Sequence, residues 1–436
     1  MQAINPNLPV RLGPLKWERR DTDTEKKLKM GIKKTLLSIR YESVELKIRI
    51  FLFLVDILGN IFFSPFRILS RRHLKYDPKK VKNILILRLD GLGDVVLSSA
   101  ALREIRKGFP QAEITLVVGP WTRDIVKCIP FYDRLVVHDS FLFSFFRGSR
   151  RIHFRKELNF IRELRQNKYD LGIDLRGDLL SIIPLFLSGA RFRFAKDTRG
   201  GGFLLTHIVH WNKGMIRHEK DKALQLVEAL GVPIRNREAE LSIPQKDIEH
   251  VERYLIEKGI KQSDLLITIA PCALYHWRSW RPERFAQVVS LIAKEYDIKV
   301  ILIGSRGDRD ILEKINDLAG SKAINCAGDL TLSQVAALIS RSAMFIGNDS
   351  GLIHIAAAVK TPMIQLFGPG EPEKFGYTGN KNILLMKTDC PYHPCSQRSC
   401  RYKDGWCMDQ ISVDDVMGAF RKIIASDICS LKESTL

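Results

Sequence analysis

The chain has 436 residues, 45% apolar and 27% charged, enough for two ordinary globular domains with length to spare. Those fractions exclude a mainly disordered or fibrous protein. Lys and Arg number 69 against 49 Asp and Glu, a formal net charge of +20, which points to an anionic partner: nucleic acid, an anionic membrane face or a phosphorylated substrate.

The opening MQAINPNLPVRLGP has no basic stretch followed by an apolar one, so no secretory signal is expected. Residues 1–80 hold 18 basic and 8 acidic side chains, half of the excess charge in less than a fifth of the chain. Residues 26–75 interleave basic and apolar positions, as a pair of amphipathic helices would. The most apolar part, Ile50 to Phe63, contains Asp56 and Asn60 and is too short to span a bilayer. Pro65 is expected to end or kink the helix before it. Two readings stand for this extension: helices packed on the body, or a helix lying in the headgroup region of an anionic leaflet with Phe51, Phe53, Phe62, Phe63 and Phe66 inserted. Phe141, Phe143, Phe145 and Phe146, followed by Arg147, Arg150, Arg151, Arg155 and Lys156, read as an interfacial anchor or a docking loop for an amphiphilic acceptor.

From residue 81 short apolar runs alternate with helical patterns. Residues 84–89, 113–119, 134–138 and 171–177 read as buried strands, and Val95–Lys107 as a helix ending near Gly108 and Pro110. After a loop-like stretch at 235–246 and a helix near 248–258, strands recur at 265–270, 300–305, 323–328, 344–349 and 363–368. The expected fold class is α/β: two Rossmann-like, doubly wound domains, 81–245 and 246–436, facing a cleft, behind an N-terminal helical extension, 1–80.

The first strand runs into Asp90-Gly91-Leu92-Gly93-Asp94. This lacks the G-x-G-x-x-G spacing of a dinucleotide site, and the second strand ends at Gly119 and Pro120 rather than an acidic residue, so a nicotinamide enzyme is disfavoured. Asp94, at a helix start, complements the helix dipole or serves as a general base on a Gly-flanked turn at a strand end. In the second half, Asn348-Asp349-Ser350-Gly351 follows a strand and opens a small-residue helix. Asp349 or Ser350 is expected to cap it, and the backbone N–H groups at Ser350 and Gly351 make an anion site suited to a diphosphate. His354 lies one turn inside, facing that anion or buried as a structural histidine. The D-x-D at Asp21-Thr22-Asp23 lies in the polar tail and reads as solvated charge.

The stretches ILILRLDGLGDVVLSSAALREI (84–105) and FIGNDSGLIHIAAAVKTPMIQLFGP (345–369) resemble glycosyltransferase family 9, as do Arg217-His218-Glu219 and Trp280-Arg281-Pro282-Glu283-Arg284-Phe285. The resemblance covers about residues 81–420; the basic extension is not part of that family core. It implies a GT-B fold and an inverting sugar transfer from a nucleotide diphosphate donor, ADP-heptose, to a lipid A–core type glycolipid acceptor, with no cofactor and no metal. It also implies roles: Asp94 as catalytic base; Asp349, Ser350, Gly351 and His354 at the donor sugar and diphosphate; Arg278, where the family has Lys, on the phosphates; Asp308 on the ribose. Gly91, Gly93, Arg147, Arg150 and Arg151 fall on the acceptor side. Ala100 stands where many members have Pro.

Cys390, Cys395, Cys400 and Cys407, with His393 among them, form a cluster in a Pro- and Gly-containing loop. They read first as ordinary or redox-labile thiols; a structural zinc is the alternative, although paired knuckle spacing is missing. The isolated Cys128, Cys272, Cys326 and Cys429 fit a reducing cytosol. The expected location is therefore cytoplasmic, at the inner face of an anionic inner membrane. A nucleotide-sugar epimerase or hydrolase is the alternative enzyme. A nucleic-acid-binding protein is disfavoured, since no zinc-finger, RNA-recognition or helix-turn-helix signature is present.

Overall fold

The computed structural model describes residues 46–73, 75–139, 154–210, 218–387, 389–393, 395, 400–402 and 405–433, with side chains for all of these but 46, 64–73 and 426–433. In chain order the first part holds α1 (Leu46–His73), β1 (Asn83–Arg88), α2 (Leu92–Leu97), α3 (Ser99–Gly108), β2 (Glu113–Val118), α4 (Arg123–Val126), β3 (Arg134–Val137), α5 (Phe154–Gln166), β4 (Leu171–Asp174), α6 (Leu179–Leu187), β5 (Phe192–Ala195), β6 (His207–Ile208) and α7 (Glu219–Ala229). The second holds α8 (Gln245–Glu257), β7 (Leu265–Ala270), α9 (Pro282–Glu295), β8 (Ile298–Leu302), α10 (Arg309–Leu318), β9 (Ala323–Asn325), α11 (Leu332–Arg341), β10 (Met344–Asn348), α12 (Gly351–Ala358), β11 (Met363–Phe367), α13 (Pro372–Phe375), β12 (Asn382–Met386), α14 (Trp406–Asp409) and α15 (Val413–Glu433).

The strands form two six-stranded parallel sheets, in the orders β3-β2-β1-β4-β5-β6 and β12-β11-β10-β7-β8-β9. Counted from its own first strand, each sheet has the order 3-2-1-4-5-6. The strand order therefore reverses between β1 and β4, and again between β7 and β10, and the crevices beyond those carboxyl ends are where such sheets bind ligands. Strands covered by helices on both faces need continuous apolar runs; accordingly Ile84 to Leu87 of β1 are wholly buried, with Ile86 opposite Leu116 on one side and Ile173 on the other. One buried cluster runs from Ile84 and Val96 of the first part to Leu266, Ile353 and Ile355 of the second.

Several details differ from the sequence expectation. The helix expected over 95–107 is two helices, because the Asp94 carbonyl accepts from the Ser98 N–H at 3.1 Å, from Ser98 Oγ at 2.7 Å and from Arg88, and the crowding breaks the helix at Ser98. Pro65 does not end its helix: α1 continues to His73. Strands β5, β6 and β12 escaped the sequence reading; β6 has two residues, and Arg193 interrupts the apolar run of β5. Asp21, Asp23 and the first helix expected in the extension lie outside the described residues.

Candidate active site

At the β1–β4 crevice, Gly91 precedes α2 and Asp94 is that helix's third residue. Arg88 ends β1 with its side chain almost wholly buried, and its guanidinium is fully engaged. It donates to the Leu175 carbonyl at 2.6 Å and to the Asp94 carbonyl at 3.0 and 3.1 Å, and lies 3.1 Å from Asp90 Oδ2 and 3.6 Å from Asp94 Oδ1. Arg176, after β4, pairs with Asp90 at 3.3 Å and with Asp178. Asp174 is fully buried, accepts from the Gly177 N–H at 2.7 Å and Ser181 Oγ at 2.8 Å, and is pushed up to about 7 by burial and by Asp178.

Asp94 differs from these neighbours in that a third of its side chain stays open. Loss of solvation raises its pKa to about 6; Asp90 and Glu219 push the same way, while Arg88 and Arg176 oppose. A carboxylate in that range is ionised at neutral pH and basic enough to take a proton.

At the β7–β10 crevice, the buried Asn348 ties the two strand ends together, donating to the Pro271 carbonyl at 2.6 Å and accepting from the Trp280 N–H at 3.1 Å. Arg278 pairs with the Asp349 carboxylate and donates to its carbonyl at 3.2 Å. Burial pushes Asp349 up and Arg278 pulls it down, with burial the larger effect. Asp349 does not cap α12. Ser350 is at the N-cap, but its side chain makes no cap bond, and its Oγ is buried with no hydrogen-bond partner. The first turn of α12 thus keeps its N–H dipoles uncapped by a side chain, a setting that favours an anion.

The two crevices meet. A Cβ on Gly93 would lie 3.0 Å from His354 Nε2 and closer still to Cδ2, and one on Gly351 would sit 3.0 Å from Leu92, so the α2 and α12 starts touch only because both residues lack side chains. His354 is buried, with Nδ1 2.9 Å from the Tyr377 hydroxyl; Gln365 fixes Tyr377 through bonds of 3.0 and 2.7 Å to its backbone. Burial, then His218, drives His354 down to about 3. It is therefore a neutral imidazole.

Asp308 lies in the turn after β8, where its Oδ2 accepts from the Ser305 N–H at 2.7 Å and Ser305 Oγ at 2.6 Å. Arg147, Arg150, Arg151, Arg217 and the aromatics before Arg147 lie outside the described residues. Cys390, Cys395, Cys400 and Cys407 line one cavity of about 270 Å³ with Trp277 and Pro369. Among the described residues no three His, Cys, Asp or Glu side chains are arranged to hold a metal ion. The sequence reading missed Arg88, Asp90, Arg176 and Tyr377. For the first two the signal was present, as charges inside and directly after an otherwise apolar strand.

Residues 157–405 match the family model described as glycosyltransferase family 9 (heptosyltransferase). A lipopolysaccharide core heptosyltransferase of Haemophilus influenzae is 26% identical over 354 residues, covering 78% of this chain and 97% of that protein. The crystal structure of a family 9 glycosyltransferase from Veillonella parvula has a TM-score of 0.68 at 23% identity, over 79% of this chain and 97% of that one. An Escherichia coli heptosyltransferase solved with ADP-2-deoxy-2-fluoro heptose has a TM-score of 0.60 at 16% identity, over 78% of this chain and 99% of that one.

Proposed function

The chain belongs to glycosyltransferase family 9, and from that premise we propose that it moves heptose from ADP-heptose to a hydroxyl of a lipid A–core type glycolipid, inverting the anomeric centre without a metal. The observation that carries this is the approach of Asp94, open to the cleft and raised to about 6, to the uncapped start of α12 beside Arg278. The acceptor hydroxyl oxygen attacks the anomeric carbon from the face opposite the diphosphate, and its proton passes to Asp94. The bond from the anomeric carbon to the diphosphate oxygen breaks, and ADP leaves with the electron pair. The charge developing on that oxygen meets the α12 N–H groups, Ser350 Oγ and Arg278, dipoles already oriented before the reaction. Asp349 orients Arg278, and neutral His354 contributes a hydrogen bond and shape, not charge. Asp308 receives the ribose.

The reaction would take place at the inner face of the inner membrane, where such an acceptor is accessible. Among the described residues no helix is long and apolar enough to cross a membrane, so attachment would be peripheral. The test is a panel of ADP-, UDP- and GDP-sugars with core-oligosaccharide acceptors, comparing wild type with Asp94→Asn. The expected result is transfer from ADP-heptose alone, lowered by about 10²–10⁴-fold in Asp94→Asn. Full transfer by Asp94→Asn refutes the mechanism. Turnover of nucleotide sugar without acceptor turns the assignment toward a hydrolase or epimerase.

A further inference from the structure

Helix α1 has 28 residues, about 42 Å at 1.5 Å per residue, and among its described side chains one face packs on the body of the protein. Leu52, Asp56, Gly59 and Phe63 follow one another at helical spacing. Leu52 and Asp56 are buried, with Asp56 Oδ1 accepting from the Gly201 N–H at 2.9 Å. Gly59 rests on the Phe203 ring, and Phe63 packs against Phe186 and Phe203 at centroid distances of 5.7 and 5.6 Å. Phe63, expected as an inserted anchor, therefore faces inward.

The opposite face is apolar and open. Phe51, Leu54, Leu58, Ile61 and Phe62 recur at spacings of three and four, and the last three are 66%, 68% and 69% exposed. From Ile50 to Phe63 the only charge is Asp56, which faces the body. A stripe of this kind on a monomer marks an interaction surface rather than ordinary exposure.

We propose that this face of α1 lies on an anionic phospholipid surface, with its apolar side chains among the acyl chains and the basic residues at both ends on phosphates. The charge pattern selects lipid over a second copy of the chain. Lys47 and Arg49 flank the stripe on one side and Arg67, Arg71 and Arg72 on the other. A second α1 packed on the stripe, parallel or antiparallel, sets basic ends against basic ends. A layer of anionic headgroups matches both ends at once.

The seat of the helix also fixes which part of the molecule meets the bilayer. Gly200 and Gly201 adjoin Arg199, which bridges to Asp178, and Asp178 pairs with Arg176, which reaches Asp90. The helix is thus fastened to the rim on which Asp94 stands, and lipid contact brings the acceptor side of the cleft to the membrane surface. This rests on the proposed acceptor only for that last consequence; the lipid contact stands apart from it.

The experiment is co-sedimentation of the full chain with phosphatidylcholine vesicles and with phosphatidylcholine–phosphatidylglycerol vesicles, for wild type and for Phe51→Ser/Leu58→Ser/Phe62→Ser. All three positions are exposed, and unchanged thermal unfolding confirms that the variant is folded. Wild type is expected to bind the anionic vesicles and bind neutral ones more weakly, and the triple variant to lose about 100-fold in partitioning while keeping transfer to a delipidated acceptor. Equal partitioning of the two proteins, or no binding by wild type, overturns the proposal. A wild-type dimer that the triple variant converts to monomer also overturns it, by showing that a second copy covers the face. Wild type that binds the anionic vesicles but shows no transfer to the delipidated acceptor would instead count against the proposed function.

Discussion

Replacing Arg88 by Met isolates what sets the basicity of Asp94. The guanidinium lies 3.6 Å from Asp94 Oδ1, a separation at which two unit charges attract by about 1 kcal/mol in water and roughly 5 kcal/mol at an effective dielectric of 20. Asp94 is partly open to the cleft, so the lower part of that range applies. The expected rise in its pKa is about 1–2 units, at the lower end of what one neighbouring arginine does to a carboxylate. Asp90, still held by Arg176, adds repulsion in the same direction. The sign follows directly: the ionised form is the base, so activity is present above the pKa and lost below it. The acid limb of kcat/KM against pH should therefore move from about 6 to roughly 7–8 in Arg88→Met, with activity at pH 7 about 2- to 10-fold lower and recovered in alkali. Because Arg88 also holds the Leu175 and Asp94 carbonyls, its loss should lower stability by about 3–5 kcal/mol, read from chemical unfolding. Arg88→Lys keeps the charge and should keep the limb near its original place. An acid limb that stays near 6 in Arg88→Met refutes the electrostatic argument and leaves Arg88 a purely structural part.

Gly93→Ala should leave both halves folded, by unchanged far-ultraviolet circular dichroism, but force α2 away from His354; kcat is expected to fall by about 100-fold, the cost of misplacing a catalytic group by an ångström. Arg278→Met strands the buried Asp349 carboxylate and should cost about 3–5 kcal/mol. Adding Asp349→Asn should return most of that stability but not the donor KM, expected to be at least about 10-fold above wild type; a double variant no more stable than Arg278→Met contradicts the pairing argument. Burial holds the Cys407 thiol at about 11, so in native protein at pH 8 it should react with a thiol reagent well after the half-buried Cys395 and Cys400, as resolved by peptide mapping at timed quench points.

The legible parts of the fold were those that a single physical rule dictates. Buried parallel strands need largely apolar runs, so ILILR, EITLVV and LLITIA stood out, and their repeated alternation with helical patterns pointed to two doubly wound halves. Elements held by context did not stand out. The sequence has no local sign that the helix expected over 95–107 would divide at Ser98, nor that α1 would run through Pro65. Gly93, Asp94, Gly351 and His354 were visible as motif positions, and the structure brings their two turns together. That His354 would be neutral was not legible, because its state depends on burial against Gly93, Tyr377 and His218, supplied by three distant segments.

The excess of basic charge does not collect among the groups named at the two crevices. At the two crevices three arginines, Arg88, Arg176 and Arg278, stand among five aspartates, Asp90, Asp94, Asp174, Asp178 and Asp349. Each arginine already has a carboxylate partner, so the cleft offers a diphosphate no unopposed cation among these groups. A donor phosphate must therefore compete with Asp349 for Arg278, and its net gain is the difference between two charge-assisted bonds, not the whole of one. The α12 N–H groups and Ser350 Oγ carry no such opposing side-chain partner, so in the proposed reaction the helix start, rather than the net charge, would supply the selective hold on the diphosphate. In sequence, Lys47 and Arg49 precede the exposed apolar positions of α1, and Arg67, Arg71 and Arg72 follow them. On the proposed reading their charge would act on association with a surface, where long-range attraction counts, and would leave the barrier at the anomeric carbon to Asp94 and α12.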